Sequence, residues 1–191
     1  MLPTTADDTA HEKYVSNIIA VWRGATADQV ARGRAWYRTA NEVATLLAEG
    51  NTRAGAGVIA ALSPQKTWEA NVKLARETFT YQEARGHFRN ALDKAERIMA
   101  GGEPLSVLPE DSKTWNFFKA IIDPEDADPV VIDRHAHDIV AGERYGERDR
   151  GLSAKRRYAT LAHAYREAAR RLGEIPSTVQ AVTWVAWKGT E

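Results

Sequence analysis

Cysteine is absent from this sequence. That excludes disulfides, thiolate nucleophiles, cysteine-based zinc sites and iron–sulfur clusters, and it fits a reducing cytosol. Net charge is absent too, with 26 Lys and Arg against 26 Asp and Glu. A nucleic-acid partner would therefore have to be met by a local basic patch, not by bulk charge. No apolar run is long enough to cross a membrane, so no membrane partner is expected; the opening MLPTTADDTAHEKY is polar and acidic, unlike a signal peptide. Phe is scarce at four and Met at two, whereas Trp reaches six. A buried Trp needs a partner for its indole N–H. The remaining balance, 43% hydrophobic and 27% charged over 191 residues, is that of a globular chain with one domain, or with two lobes sharing a cleft.

Sustained alternation is missing as well, and helical periodicity fills its place. Tyr14, Ile18, Val21 and Trp22 share one face of HEKYVSNIIAVWRGA. Thr26 is placed to cap the next helix, which runs to Gly50. TRAGAGVIAALSPQ is small and apolar and reads as a buried helix with close neighbours. Ser63 as cap with Pro64 in the first helical position predicts the start of a fourth helix. FRNALDKAERIMAGG, SKTWNFFKAIID, SAKRRYATLAHAYREAARRLG and a last helix from Ser177 or Thr178 complete an all-α chain of roughly eight to nine helices. PVVID, residues 129–133, is at most a short extended stretch.

That extended stretch runs into Asp133, Arg134 and His135, and His137 follows. Asp before a helix is most simply an N-cap. A helix N-terminus also favours negative charge, and His137 lies one turn away, where it could face Asp133 and form an acid/base pair. Metal binding by His135 and His137 is disfavoured, because residues two apart on a helix point to different sides. No metal ligand set is therefore read. Arg148, Arg150, Lys155, Arg156, Arg157, Arg166, Arg170 and Arg171 crowd one segment, and Lys155, Arg156 and Arg157 are the candidate DNA-phosphate contacts.

LSVLPEDSKTWNFFKAIIDPEDADPVVIDRHAHDIVAGERYG resembles the helix-hairpin-helix DNA glycosylase superfamily over Gly102 to Gly146. Leu108-Pro109 and Lys113-Thr114 stand where that superfamily has its hairpin and lysine, VIDRH where it has its aspartate element, and ERYG at the helix end. Glu110-Asp111-Ser112 replaces the hairpin glycines, which removes the support for a backbone phosphate cradle there. GVIAALSPQKTWEANVKLA, LPEDSKTWNFFKAI, VVIDRHAHDI and VQAVTWVAWK together resemble phage-encoded proteins of this fold associated with thymine hypermodification, the modified-thymine pyrophosphorylases and amino acid:DNA transferases, from Trp36 to Lys188. The resemblance implies a two-lobed glycosylase-like fold without an iron–sulfur cluster. Its substrate would be a pyrophosphorylated 5-hydroxymethyluracil in DNA, with an amino acid, glycine first, displacing pyrophosphate in the cytoplasm of an infected bacterium.

On that resemblance Lys113 and Arg134 are the cations for the leaving group, and Asp133 or His135 is the base. Trp68, Trp115, Trp184 and Trp187 offer aromatic surface for an unstacked base, and Gln65, Asn71 and Gln180 offer amides to read its edge. No cofactor is required, and a divalent metal such as Mg is compatible. Two alternatives remain: a base-excision glycosylase with Asp133 stabilising the sugar cation and Lys113 as nucleophile, and a non-catalytic DNA-binding module.

Overall fold

The computed structural model describes residues 8–189; the first half of the polar opening read above, residues 1–7, lies outside them. The described residues form ten helices and no strand. They are α1 (Asp8–Gly24), α2 (Ala27–Leu47), α3 (Thr52–Leu62), α4 (Trp68–Tyr81), α5 (Arg89–Met99), α6 (Pro104–Val107), α7 (Lys113–Ile122), α8 (Arg134–Ala141), α9 (Lys155–Leu172) and α10 (Pro176–Lys188). The additional helix over the sequence expectation is α6, four residues with Pro104 opening it, too short to show a period. The chain divides into two compact units: one holds the described residues up to Tyr37 and from Glu125 onward, the other is Arg38–Pro124. Chain continuity through the boundary is provided by α2.

Local chemistry explains most helix ends. Thr26 and Gln29 cap α2 reciprocally, the Gln29 amide donating to Thr26 Oγ1 at 3.2 Å and the Thr26 amide to Gln29 Oε1 at 2.8 Å. Ser112 caps α7 through the Trp115 amide at 3.2 Å. The fourth helix starts later than Ser63-Pro64 predicts. Ser63 belongs to the end of α3, where its hydroxyl donates to the Ala60 carbonyl at 2.9 Å, and Thr67 caps α4 through the Ala70 amide. Between them Gln65 adopts a left-handed backbone with φ of +57°. The last helix begins one residue earlier than expected, with Pro176 in its first turn.

The first unit is built on α1, α8, α9 and α10. Val15 and Ile18 of α1, Ile139 and Val140 of α8, Leu161, Tyr165 and Ala168 of α9, and Val179 of α10 form its core. The start of α2 joins this unit at Gly33, where a Cβ would collide with the Val182 backbone, so only glycine permits the approach. In the second unit α3 is the central rod, buried continuously from Gly55 to Leu62 as its small apolar sequence requires. Gly55 lies so close to the Ala44 carbonyl of α2 that any side chain would displace it. Amphipathic α5 and apolar α7 pack on this rod.

Candidate functional site

Val130, Val131 and Ile132 are buried and lie outside any helix, with no strand beside them among the described residues. A buried backbone polar group without a partner costs about 1–3 kcal/mol. Tyr158 of α9 meets that demand. Its hydroxyl donates to the Val130 carbonyl at 2.8 Å and accepts from the Ile132 amide at 3.1 Å. The segment so held delivers Asp133 to the first turn of α8.

Asp133 is half-buried, and both of its oxygens are engaged. Oδ1 accepts the Ala136 amide at 2.8 Å, the N-cap expected from sequence. Oδ2 accepts the indole N–H of Trp184 at 3.0 Å. Trp184, an aromatic platform in the sequence reading, thus also holds the carboxylate by its polar edge. Trp36 lies against Trp184 with ring centroids 5.2 Å apart, the His135 ring meets it edge-on at 6.1 Å, and Lys188 Nζ stands 4.8 Å from its ring. Arg134 is exposed and donates from Nε to His135 Nε2 at 3.2 Å. The result is a carboxylate, an imidazole and a cation around one helix start, backed by two indoles.

Behind it, Tyr37 donates to Gln180 Oε1 at 2.7 Å, both side chains buried. Burial first, then the charge of Asp133, pushes the Tyr37 phenol well above the ordinary tyrosine range. Gln180 is therefore a buried strut of the site, and its expected contact with substrate does not fit its burial. Trp36, Tyr37 and Lys188 were not among the residues singled out from sequence. No spacing connects them to Asp133, and only the packing of α2 and α10 in the first unit brings them there.

His137 does not face Asp133. It is fully buried, and Nδ1 donates to Asp138 Oδ1 at 2.9 Å. Asp138 also accepts Arg150 Nε at 2.7 Å, Arg150 Nη2 at 2.8 Å and the Tyr145 amide at 3.1 Å. Burial alone would raise the Asp138 carboxyl; the hydrogen bonds from Arg150, His137 and the Tyr145 amide outweigh it and hold the group below the usual aspartate range. Burial holds His137 below the usual histidine range, against the pull of Asp138. The acid/base pair expected between Asp133 and His137 is replaced by a buried staple that fastens the turn after α8.

Lys113 opens α7 in the second unit, half-buried, and Trp115 follows it with Lys119 Nζ 4.9 Å from its ring. In the same unit Gln65 is exposed in its turn, Trp68 begins α4 half-buried, and Asn71 is buried with Nδ2 donating to the Ile59 carbonyl at 3.0 Å. Asn71 is thus committed to joining α4 to α3 and is not presented to a ligand as the sequence reading supposed.

The basic segment is mostly consumed internally. Arg148 donates to the carbonyls of Tyr145 and Arg144, Arg166 to that of Asp128, and Arg170 and Arg171 both hold Glu167, whose carboxyl their hydrogen bonds lower to about 2. Arg157 is buried, so the expected phosphate contact by this side chain is corrected. Lys155 and Arg156 are exposed.

Among the described residues no group of three or more His, Asp or Glu side chains is placed to hold a metal, and no helix is long and apolar enough to cross a membrane. No curated protein and no solved structure matches the chain. A family model matches residues 1–191 in full, and the chain belongs to that family, DUF7178, a family of unknown function.

Proposed function

We propose that this protein is a DNA-modifying transferase with a fold of the helix-hairpin-helix glycosylase type. It displaces pyrophosphate from a pyrophosphorylated 5-hydroxymethyluracil in DNA with the amine of an amino acid, glycine first. The motif resemblance supplies the substrate. The observation that carries the assignment of roles is the Asp133 carboxylate, held by both oxygens at a helix start with Arg134 and His135 beside it. In the reaction the amine nitrogen bonds to the methylene carbon, and the carbon–oxygen bond breaks with its electrons leaving on pyrophosphate. Arg134 offers a cation to that leaving group. Asp133 draws in the ammonium, and Asp133 or His135 accepts its proton. Fixed donors on Asp133 mean that it need not reorganise as charge moves.

The test is product analysis. DNA carrying the pyrophosphorylated base is incubated with single amino acids, digested, and its nucleosides weighed. A nucleoside that carries the amino acid in place of pyrophosphate, lighter than the pyrophosphorylated input but heavier than 5-hydroxymethyldeoxyuridine, with one equivalent of pyrophosphate released, is the expected result. An abasic site would establish base excision instead, and unchanged DNA that remains bound would leave only a binding module. Lys113 is read separately: borohydride should trap no covalent DNA adduct through it, whereas a Lys113-dependent adduct favours excision.

A further inference from the structure

In the first unit α1 and α9 pack through Tyr14, Val15 and Ile18 on one side and Leu161, Tyr165 and Ala168 on the other. One turn before Tyr14, at the edge of this contact, His11 meets His163. The two rings stack with centroids 4.8 Å apart and planes inclined by 30°. Neither ring makes a hydrogen bond to a described residue. The carboxylates beside them are engaged elsewhere: Glu12 accepts Arg171 Nη1 at 2.9 Å, and Glu167 accepts Arg170 and Arg171. Two imidazoles from distant parts of the chain are thus held together by a rigid helix pair with their ring nitrogens uncommitted.

We infer that His11 and His163 form a two-histidine site for a late first-row divalent cation, Zn2+ or Ni2+, that clamps α1 to α9. Imidazole nitrogen is the ligand these ions favour, and Mg2+ demands oxygen. Zinc–nitrogen bonds of about 2.0–2.1 Å place two nitrogens on one ion about 3–4 Å apart. As stacked, with centroids 4.8 Å apart and planes inclined by 30°, each ring directs its nitrogens within its own plane and not at a common point, so the ion must open the stack to bind. The ring torsion of histidine is broad, so rotation about it can unstack the pair and turn one nitrogen of each ring toward a shared ion. Water supplies the remaining positions, since no third side-chain ligand is grouped there among the described residues. Neither histidine belongs to the Asp133 site, so the inference stands apart from the transferase reading.

The experiment is calorimetric titration of the full chain with Zn2+ and with Ni2+, and thermal unfolding with and without each ion. One equivalent should bind. At an ion concentration one hundred times Kd the apparent Tm should rise by about 5–10 °C, because the ion binds the folded pair and not the separated helices. His11→Ala and His163→Ala should each lose both effects while keeping the wild-type far-UV circular dichroism, and Mg2+ should produce neither. His163→Gln serves as a second variant, since it keeps a polar side chain on the exposed face of α9. Uptake that survives in the double variant places the ion elsewhere and overturns the inference, as does a wild-type chain whose Tm is indifferent to both ions.

Discussion

Asp133 caps α8 and Asp138 lies within it, and the two carboxylates are treated in opposite ways. Asp138 is buried and receives four hydrogen bonds, two of them from the Arg150 guanidinium. Its charge is answered inside the protein and none of it is offered outward. Asp133 is half-buried, and its two hydrogen bonds described here come from neutral donors, a backbone amide and an indole. These orient the carboxylate without cancelling it. The difference separates an aspartate that builds the fold from one equipped to act on something outside it, within the cap and body of a single eight-residue helix.

The sharpest contrast comes from replacing each carboxylate by its amide. Asp138→Asn removes a buried carboxylate charge from a part-buried guanidinium, and loss of one member of a fully buried pair, the upper bound here, costs about 3–5 kcal/mol. Urea denaturation should show it, and a loss under 1 kcal/mol would mean the staple is not structural. Asp133→Asn retains a capping oxygen but only one acceptor for two donors, so its stability cost should be about 1 kcal/mol. Its transferase turnover should fall by orders of magnitude. A folded Asn variant with near-wild-type turnover reduces Asp133 to a helix cap.

Trp184→Phe keeps a ring and removes only the N–H held by Asp133. A hydrogen bond to a charged group is worth about 1.5–3 kcal/mol, so turnover should drop by about tenfold or more with little change in DNA affinity. A drop confined to DNA affinity would return Trp184 to the role of a stacking platform.

Acid tests the His137–Asp138 staple by a different route. Folded His137 is held below its unfolded value, so between the two values the unfolded chain binds more protons and stability falls as pH drops below about 6.5. Asp138 is likewise lowered in the folded state; its contribution is present above its unfolded value of about 3.9 and is lost as pH falls further. His87, also lowered by burial, adds to the first phase, so the quantity to read is the difference between wild type and His137→Asn across pH 7 to 5. Parallel stability curves over that range would remove His137 from the account.

The smallest effect belongs to the exposed end of α9. Lys155→Gln with Arg156→Gln should weaken DNA binding without altering which base is modified, and each lost phosphate contact should flatten the dependence of log K on log salt by about one unit. Unchanged slopes would move the DNA-facing surface elsewhere.

Much of the helical frame could be read from local chemistry: the Thr26–Gln29 box, the Ser112 and Asp133 caps and the small-residue run of α3 all behave as their side chains dictate. The start of α4 misled because Ser63 and Pro64 have the chemistry of a helix start, but the Ser63 hydroxyl is already bonded back into α3 and Thr67 takes the cap. Arg157 misled because charge was counted before periodicity. It shares the buried stripe of α9 with Leu161, Ala164 and Ala168, and that spacing of three and four was visible. The bond from Trp184 to Asp133 had no local signal at all. It follows from tertiary packing in the first unit, which a single sequence does not disclose.

One phenol makes the placement of Asp133 conditional on order of assembly. Residues 130–132 have no neighbouring strand among the described residues to satisfy their backbone, and Tyr158 can do so only once the first turn of α9 exists. The Ile132 amide should therefore gain protection from hydrogen exchange during refolding no sooner than the amides of α9. The carboxylate is then positioned only once α9 has begun to form, so a chain without the start of α9 would lack the support for residues 130–132 that delivers it.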